Sequence, residues 1–258
     1  MLREEPVARV GLDAIALKPK EHSLSDAREL AVDTLCLDYE GREHLPDEAT
    51  LDRLARDHDL LVTTPVRADG FDPLGDDSLV DSVPERAGRI LVAGHPAYLT
   101  DEEKRRAIAP RLSAAREEAP DAWVGTEGVE RVAMALGGTQ YDLLSRGTAN
   151  SVRAVRTTGF EGEIAVYAPV VVSDAEDEIL DAAGPYTARR GVVRRALPDG
   201  APDDSTATGR AREVLSAAVR DFALVGSQDE VRAQTDALRE AGVDTVVGYP
   251  ARGLAEFL

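Results

Sequence analysis

Short apolar runs alternate with helix-patterned stretches from one end of the chain to the other. The runs "ARVGLDAIAL" (8–17), "DTLCLDY" (33–39), "DLLVTTPV" (59–66) and "RILVAG" (89–94) are followed by "AWVG" (122–125), "YDLLS" (141–145), "EIAVYAP" (163–169) and "DTVVGY" (244–249). Each is largely continuous in its apolar character rather than alternating, the pattern of a strand covered on both faces. Helical patterning fills the intervals at 24–31, 47–57, 101–118, 127–137, 149–158, 174–189, 207–220 and 228–241.

Strict alternation of strand and helix predicts a parallel sheet. Eight such units in 258 residues match the size of a (β/α)8 TIM barrel, one domain spanning 1–258. A doubly wound open sheet is the other arrangement with this element order. The stretch "LPDGAPDDSTATG" (197–209) is the most loop-like and too short to divide domains. The last helix has its boundaries written out. Ser227 is an N-cap with Glu230 completing a capping box, Asp229 suits the helix dipole, and Gly242 supplies the left-handed stop. "FALV" (222–225) fits either a short strand or the lead-in to this helix, and the lead-in is the favoured reading.

Composition adds habitat and partners. The chain carries 48 acidic against 30 basic residues, a formal net charge of −18, and its only lysines are Lys18, Lys20 and Lys104. The summed field repels nucleic acid and anionic membrane surfaces. An acidic, lysine-poor surface of this kind resembles proteins of salt-loving archaea, where dense carboxylates stay hydrated and salt screens their repulsion. A single cysteine, Cys36, excludes a disulfide framework within one chain. No apolar run approaches the ~20 residues of a membrane span, and no signal-peptide pattern precedes the first strand, so a cytoplasmic protein is expected.

Barrel chemistry gathers at the C-terminal ends of the strands. The polar residues there are Lys18, Asp38, Glu40, Thr64, Arg67, His95, Tyr98, Glu127, Ser145, Arg146, Tyr167, Tyr249 and Arg252. His95 directly follows a strand and is a candidate acid–base group. Asp38 and Glu40 lie two apart, so both can face one side and do acid–base work, or belong to a solvated turn. "GTEGVERV" (125–132) is a phosphate candidate: Gly125 and Gly128 let backbone amides approach an anion, and Thr126 adds a hydroxyl. Glu127 in the same loop opposes an anion and favours a plain helix start. Arg252, past the last strand, can grip phosphate or pair with Glu256 four residues on. Lys18 suits a Schiff base or an exposed turn. The other histidines, His22, His44 and His58, lie in polar segments without metal-ligand spacing. No Walker loop, Ser-His-Asp signature or Gly-x-Gly-x-x-Gly after a strand is present.

The ordered series resembles the luciferase-like TIM barrels, which include bacterial luciferase, FMN-dependent monooxygenases, coenzyme F420-dependent oxidoreductases and methylenetetrahydromethanopterin reductase. "VGSQDEVRAQTDALREAGVDTVV" is similar to their closing unit, "ELAVDTLCLDYEGREH" to their second strand, "VTTPVRADG" to the third and "GRILVAG" to the fourth. "WVGTEGVERVAMALGGTQYDLLSRGTANSVRAV" and "YAPVVVSDAEDEILDAA" resemble the units that follow. The resemblance implies hydride transfer with F420 or FMN and a small-molecule substrate. Asp38, Thr64, Gly94 and His95 would lie near the ring, and Gly125, Thr126 and Gly128 around the phosphate. Related barrels are commonly dimers, so a homodimer is expected. Two departures point to an alternative, a non-catalytic barrel binding a phosphorylated metabolite or a protein partner. Thr139-Gln140-Tyr141 replaces the family's Ala-Asp-Gly, and Gly94-His95-Pro96-Ala97-Tyr98 replaces a glycine-rich turn.

Overall fold

In a computed structural model, residues 6–68, 72–75, 77–94 and 99–258 are described. The strands among them are β1 (Ala14–Leu17), β2 (Thr34–Leu37), β3 (Asp59–Pro65), β4 (Gly88–Val92), β5 (Trp123–Gly125), β6 (Gln140–Leu143), β7 (Ile164–Val172), β8 (Leu224–Gly226) and β9 (Thr245–Pro250). Their order is β6-β5-β4-β3-β2-β1-β9-β7-β8, with a further β6–β7 pairing. All eight expected strands are present, and they form the closed parallel sheet of a (β/α)8 TIM barrel.

The ninth strand, β8, corrects the reading of "FALV" as a helix lead-in. β7 runs for nine residues, and its last three pair in parallel with β8, Val170 with Leu224 through Val172 with Gly226. Val225 is buried with Ile179, Leu180, Leu215 and Val219, so burial holds these residues extended. Other boundaries also moved. The first run is a strand only over 14–17; Pro6–Arg9 is a helical turn, closed by Gly11 at φ 72. The expected helix at 24–31 is a 3-10 turn, Asp26–Glu29. The helix expected over 101–118 is two, Asp101–Arg105 and Ile108–Glu118, because Arg106 and Ala107 adopt extended backbone between them. Pro110 then sits in the first turn of the second helix, where no amide hydrogen is needed.

Two compact units divide the chain. The first comprises Ala14–Asp142 and Glu161–Ala165. Its ladder pairs Ala16 with Cys36, Cys36 with Leu61, Thr63 with Ile90, and Ile90 with Trp123. Lateral partners share a face, and neighbours in sequence do not. Leu91 and Val124 pack on Leu112, Ala115 and Ala133 of the helices, which marks their face as the helix-covered one. Ala16, Cys36, Leu61, Thr63, Ile90 and Trp123 therefore face the other way.

The second unit comprises Met1–Asp13, Leu143–Phe160 and Val166–Leu258. The helices Glu176–Ala188 and Gly209–Phe222 pack together there, linked by Arg220 to Glu176 at 2.7 Å and Arg212 to Asp177 at 2.5 Å. The helix Gln228–Ala241 has the expected capping box: Ser227 N–H donates to Glu230 Oε2 at 2.8 Å, and Ser227 Oγ accepts from Glu230 N–H. Gly242 ends it at φ 107. Ser227→Ala should lower stability by about 1 kcal/mol, read by denaturant unfolding. A change below about 0.3 kcal/mol would mean the cap contributes nothing.

Candidate active site

Lys18 and Asp38 are the first residues past β1 and β2. Asp38 N–H donates to the Leu17 carbonyl at 2.8 Å, which carries the ladder one step beyond the strands. Alternation then keeps Lys18 and Asp38 on the face of Ala16, Cys36 and Thr63, away from the helices. Although part of Asp38 reaches solvent, the protein packed around it removes most of water's support for a charge. Burial pushes its carboxyl up to about 7; Lys18 pulls it back, while Glu40 and Glu21 push it further up. A carboxyl in that range can both hold and release a proton at neutral pH.

The surroundings are tied down. Lys18 Nζ lies 3.7 Å from Glu21 Oε1, and Glu40 Oε2 accepts the Lys20 N–H at 3.0 Å. Tyr39 N–H donates to Thr63 Oγ1 at 2.7 Å, joining β2 to β3 at this level. Cys36 lies beneath Asp38; burial, with Asp38 adding, pushes its thiol far up, so it stays protonated and unreactive. His22 is buried, and its Nδ1 accepts the Lys18 N–H at 2.9 Å. Neither His22 nor Thr63 was singled out in the sequence. His22 sits in a lysine-proline-lysine-glutamate run that looks solvated. Thr63 could have been found from the period-two pattern, had the register of β3 been known.

The other candidates are placed as follows. His95 and Tyr98 lie outside the described residues. Thr64 is fully buried on the helix-covered face, where its hydroxyl donates to the Val62 carbonyl at 3.2 Å. Gly94 has φ 75 and packs against Leu99; a Cβ there would come within 2.8 Å of Leu99 Cδ2. Gly125 ends β5 against Val92. Thr126 spends both polar groups internally: its N–H donates to the Tyr141 carbonyl at 2.9 Å, and its hydroxyl to Asp142 Oδ1 at 2.9 Å. Gly128 N–H donates to Glu130 Oε1 at 3.2 Å, and Val129 N–H to the Thr126 carbonyl at 2.9 Å. Glu127 is exposed. Arg67 is half-buried, its Nε enclosed without a hydrogen-bond partner.

In the second unit, Arg252 Nη1 sits between Glu178 Oε2 at 3.0 Å and Glu256 Oε1 at 2.8 Å, so the pairing four residues on is present. Burial pushes Glu256 up, and Arg252 draws it back. Tyr167 and Tyr249 stack at 6.2 Å between ring centres. Ser145 N–H donates to Thr148 Oγ1 at 2.9 Å, at the first residue of the following helix, and Arg146 is exposed beside it. Among the described residues, no three His, Cys, Asp or Glu side chains are grouped to hold a metal, and no helix is long and apolar enough to cross a membrane.

One family's sequence pattern matches residues 7–257, nearly the whole chain. The chain belongs to the family of unknown function DUF7388. No curated protein matches it significantly. Among solved structures, it is similar to an F420-dependent secondary alcohol dehydrogenase in complex with an F420-acetone adduct, with TM-score 0.61 and 11% identity over 93% of each chain. It is also similar to apo-MsnO8, with TM-score 0.56 and 14% identity over 93% of each chain. At these identities the likeness is one of fold alone: this DUF7388 member shares the barrel fold of the two structures.

Proposed function

We propose that the protein is an oxidoreductase that moves a hydride between coenzyme F420 or a flavin and a small molecule, with Asp38 as the proton-transferring group. The observation that carries this reading is the Asp38 carboxyl, held near neutrality beside Lys18 where the strands end. The shared fold supports it, since one of the similar structures is of an F420-dependent dehydrogenase. When bound, the cofactor supplies the hydride chemistry. The chain's own residues hold the proton on Asp38 and set its affinity through Lys18. Glu40 and the glycines at 94 and 125 lie at the ends of their strands on this reading, with His95 a further acid–base candidate. The proposed setting is cytoplasmic, with a homodimer acting on a small molecule and nucleic acid absent.

The phosphate end of such a cofactor fits less well. Thr126 and Gly128 already direct their amides to Tyr141 and Glu130. Arg252 already carries two carboxylates. Of the second reading, a non-catalytic barrel that binds a phosphorylated metabolite or a protein partner, this favours the protein partner, since a phosphorylated metabolite would call on the same occupied groups. Saturating F420, FMN and FAD, each tested in molar potassium chloride, should separate the two. The oxidoreductase reading expects one of them to raise the melting temperature by several degrees and change its fluorescence on binding. If none of the three shifts the melting temperature, that reading fails.

A further inference from the structure

The main chain of Lys18 is held from both sides by the turn that follows it. Its N–H donates to His22 Nδ1 at 2.9 Å, and its carbonyl accepts the N–H groups of Glu21 and His22, both at 2.9 Å. Pro19 fixes one further dihedral inside this turn. An imidazole nitrogen that accepts from a backbone amide carries no proton of its own, so this bond needs the other nitrogen to hold the ring's hydrogen. His22 is only 7% exposed, so the bond is shielded from competing water. The Lys18 side chain is 19% exposed and leaves its anchored main chain beside Glu21 and Asp38.

We infer that His22 is a positioning residue: through the Lys18 main chain it fixes where the Lys18 ammonium stands, and thereby how tightly Asp38 holds its proton. The ammonium is the group that opposes burial at Asp38, whereas Glu40 and Glu21 act in the same sense as burial. A lysine free to swing toward solvent or toward Glu21 alone would leave Asp38 with those three influences unopposed. Cys36 stays protonated on the same face and contributes no charge of its own. The inference rests on Asp38 being the working carboxyl, but its test needs neither cofactor nor turnover, so it stands or falls separately from cofactor binding.

The test is a carbon-13 NMR titration of the Asp38 carboxyl, assigned with Asp38→Asn, in the parent protein, three single variants and one double variant. Lys18→Met should raise the Asp38 midpoint by about half a unit or more, because an opposite charge is removed. His22→Leu, which fills the site without an acceptor, should raise it in the same direction. His22→Asn, whose side-chain oxygen can stand where Nδ1 does, should restore a midpoint close to the parent's. Combining Lys18→Met with His22→Leu should give no further rise, since both act through one ammonium. If His22→Leu fails to fold, His22→Gln, with its acceptor displaced, replaces it and should give an intermediate rise. A lower melting temperature with an unmoved midpoint in the folded His22 variant would reduce His22 to packing and overturn the inference. An unmoved midpoint in Lys18→Met would overturn it as well.

Discussion

Replacing Asp38 by asparagine is expected to stabilise the protein at about pH 8 by about 2–4 kcal/mol, and to lose most of that gain by about pH 4.5. The sign follows from the proton balance. Asp38 releases its proton near 3.8 in the unfolded chain, but only at about 7 when folded. Between those values the folded state carries a proton that the unfolded state has lost, so stability falls as the pH rises through the window and stays low above it. Asparagine is neutral throughout and escapes this penalty. The gain is smaller than the full shift implies, because part of Asp38 reaches solvent and screening weakens the penalty; the Lys18 attraction is already contained in the folded value. Thermal and urea unfolding at the two pH values would read the difference. A gain independent of pH, or a loss at about pH 8, would show that the carboxyl is not held against its charge. On the proposed function the same substitution lowers turnover by about 100-fold or more, since asparagine cannot pass a proton. A residue that weakens the fold while serving the chemistry is a recurrent feature of working sites.

How far the sequence carried depended on the scale of the feature. The barrel was legible because eight apolar runs and their intervening helices each repeat one physical pattern. The helix Gln228–Ala241 was legible to the residue because capping box and glycine stop are local chemistry. Arg252 and Glu256 could be paired in advance because a separation of four brings side chains together on one turn. β8 was missed because its cause lies elsewhere, in the surplus length of β7 and the helices over Val225. The step from Thr64 to Thr63 has a similar origin. Both are threonines within β3, and only the register decides which faces Asp38 and which faces the helices. His22 was hidden by composition: a histidine among lysines and a glutamate reads as solvated until its burial and its bond to Lys18 are seen. The amide and hydroxyl of Thr126 could not be counted in advance either, because their partners, Tyr141 and Asp142, arrive from another strand.

The other large effect is expected at Gly184, far from any candidate chemistry. The stretch 197–209 reads in the sequence as the most loop-like, yet it is strapped onto the helix Glu176–Ala188. Ser205 N–H donates to the Asp181 carboxylate at 2.9 Å, and Arg212 Nη1 donates to the Ser205 carbonyl at 2.9 Å while its other nitrogen reaches Asp177. Ser205 draws Asp181 below the usual carboxylate range, as expected of an acceptor that strengthens when charged. At the crossing, the Asp203 carbonyl oxygen sits so close to Gly184 that an added Cβ would fall well inside contact distance. The opposing atom is backbone, which cannot swing aside as a flexible side chain would. Gly184→Ala should therefore cost about 2–4 kcal/mol, through a displaced strap or a bent helix. Gly191→Ala is the control. Its Cβ would meet only Arg195 Nη1, at 3.4 Å, and its φ needs no glycine. There, restricting the unfolded chain should leave stability unchanged or raise it by about 0.5 kcal/mol. Urea unfolding of both variants reads the contrast. If Gly184→Ala is as stable as Gly191→Ala, the strap does not press on the helix, and the stretch is free loop after all.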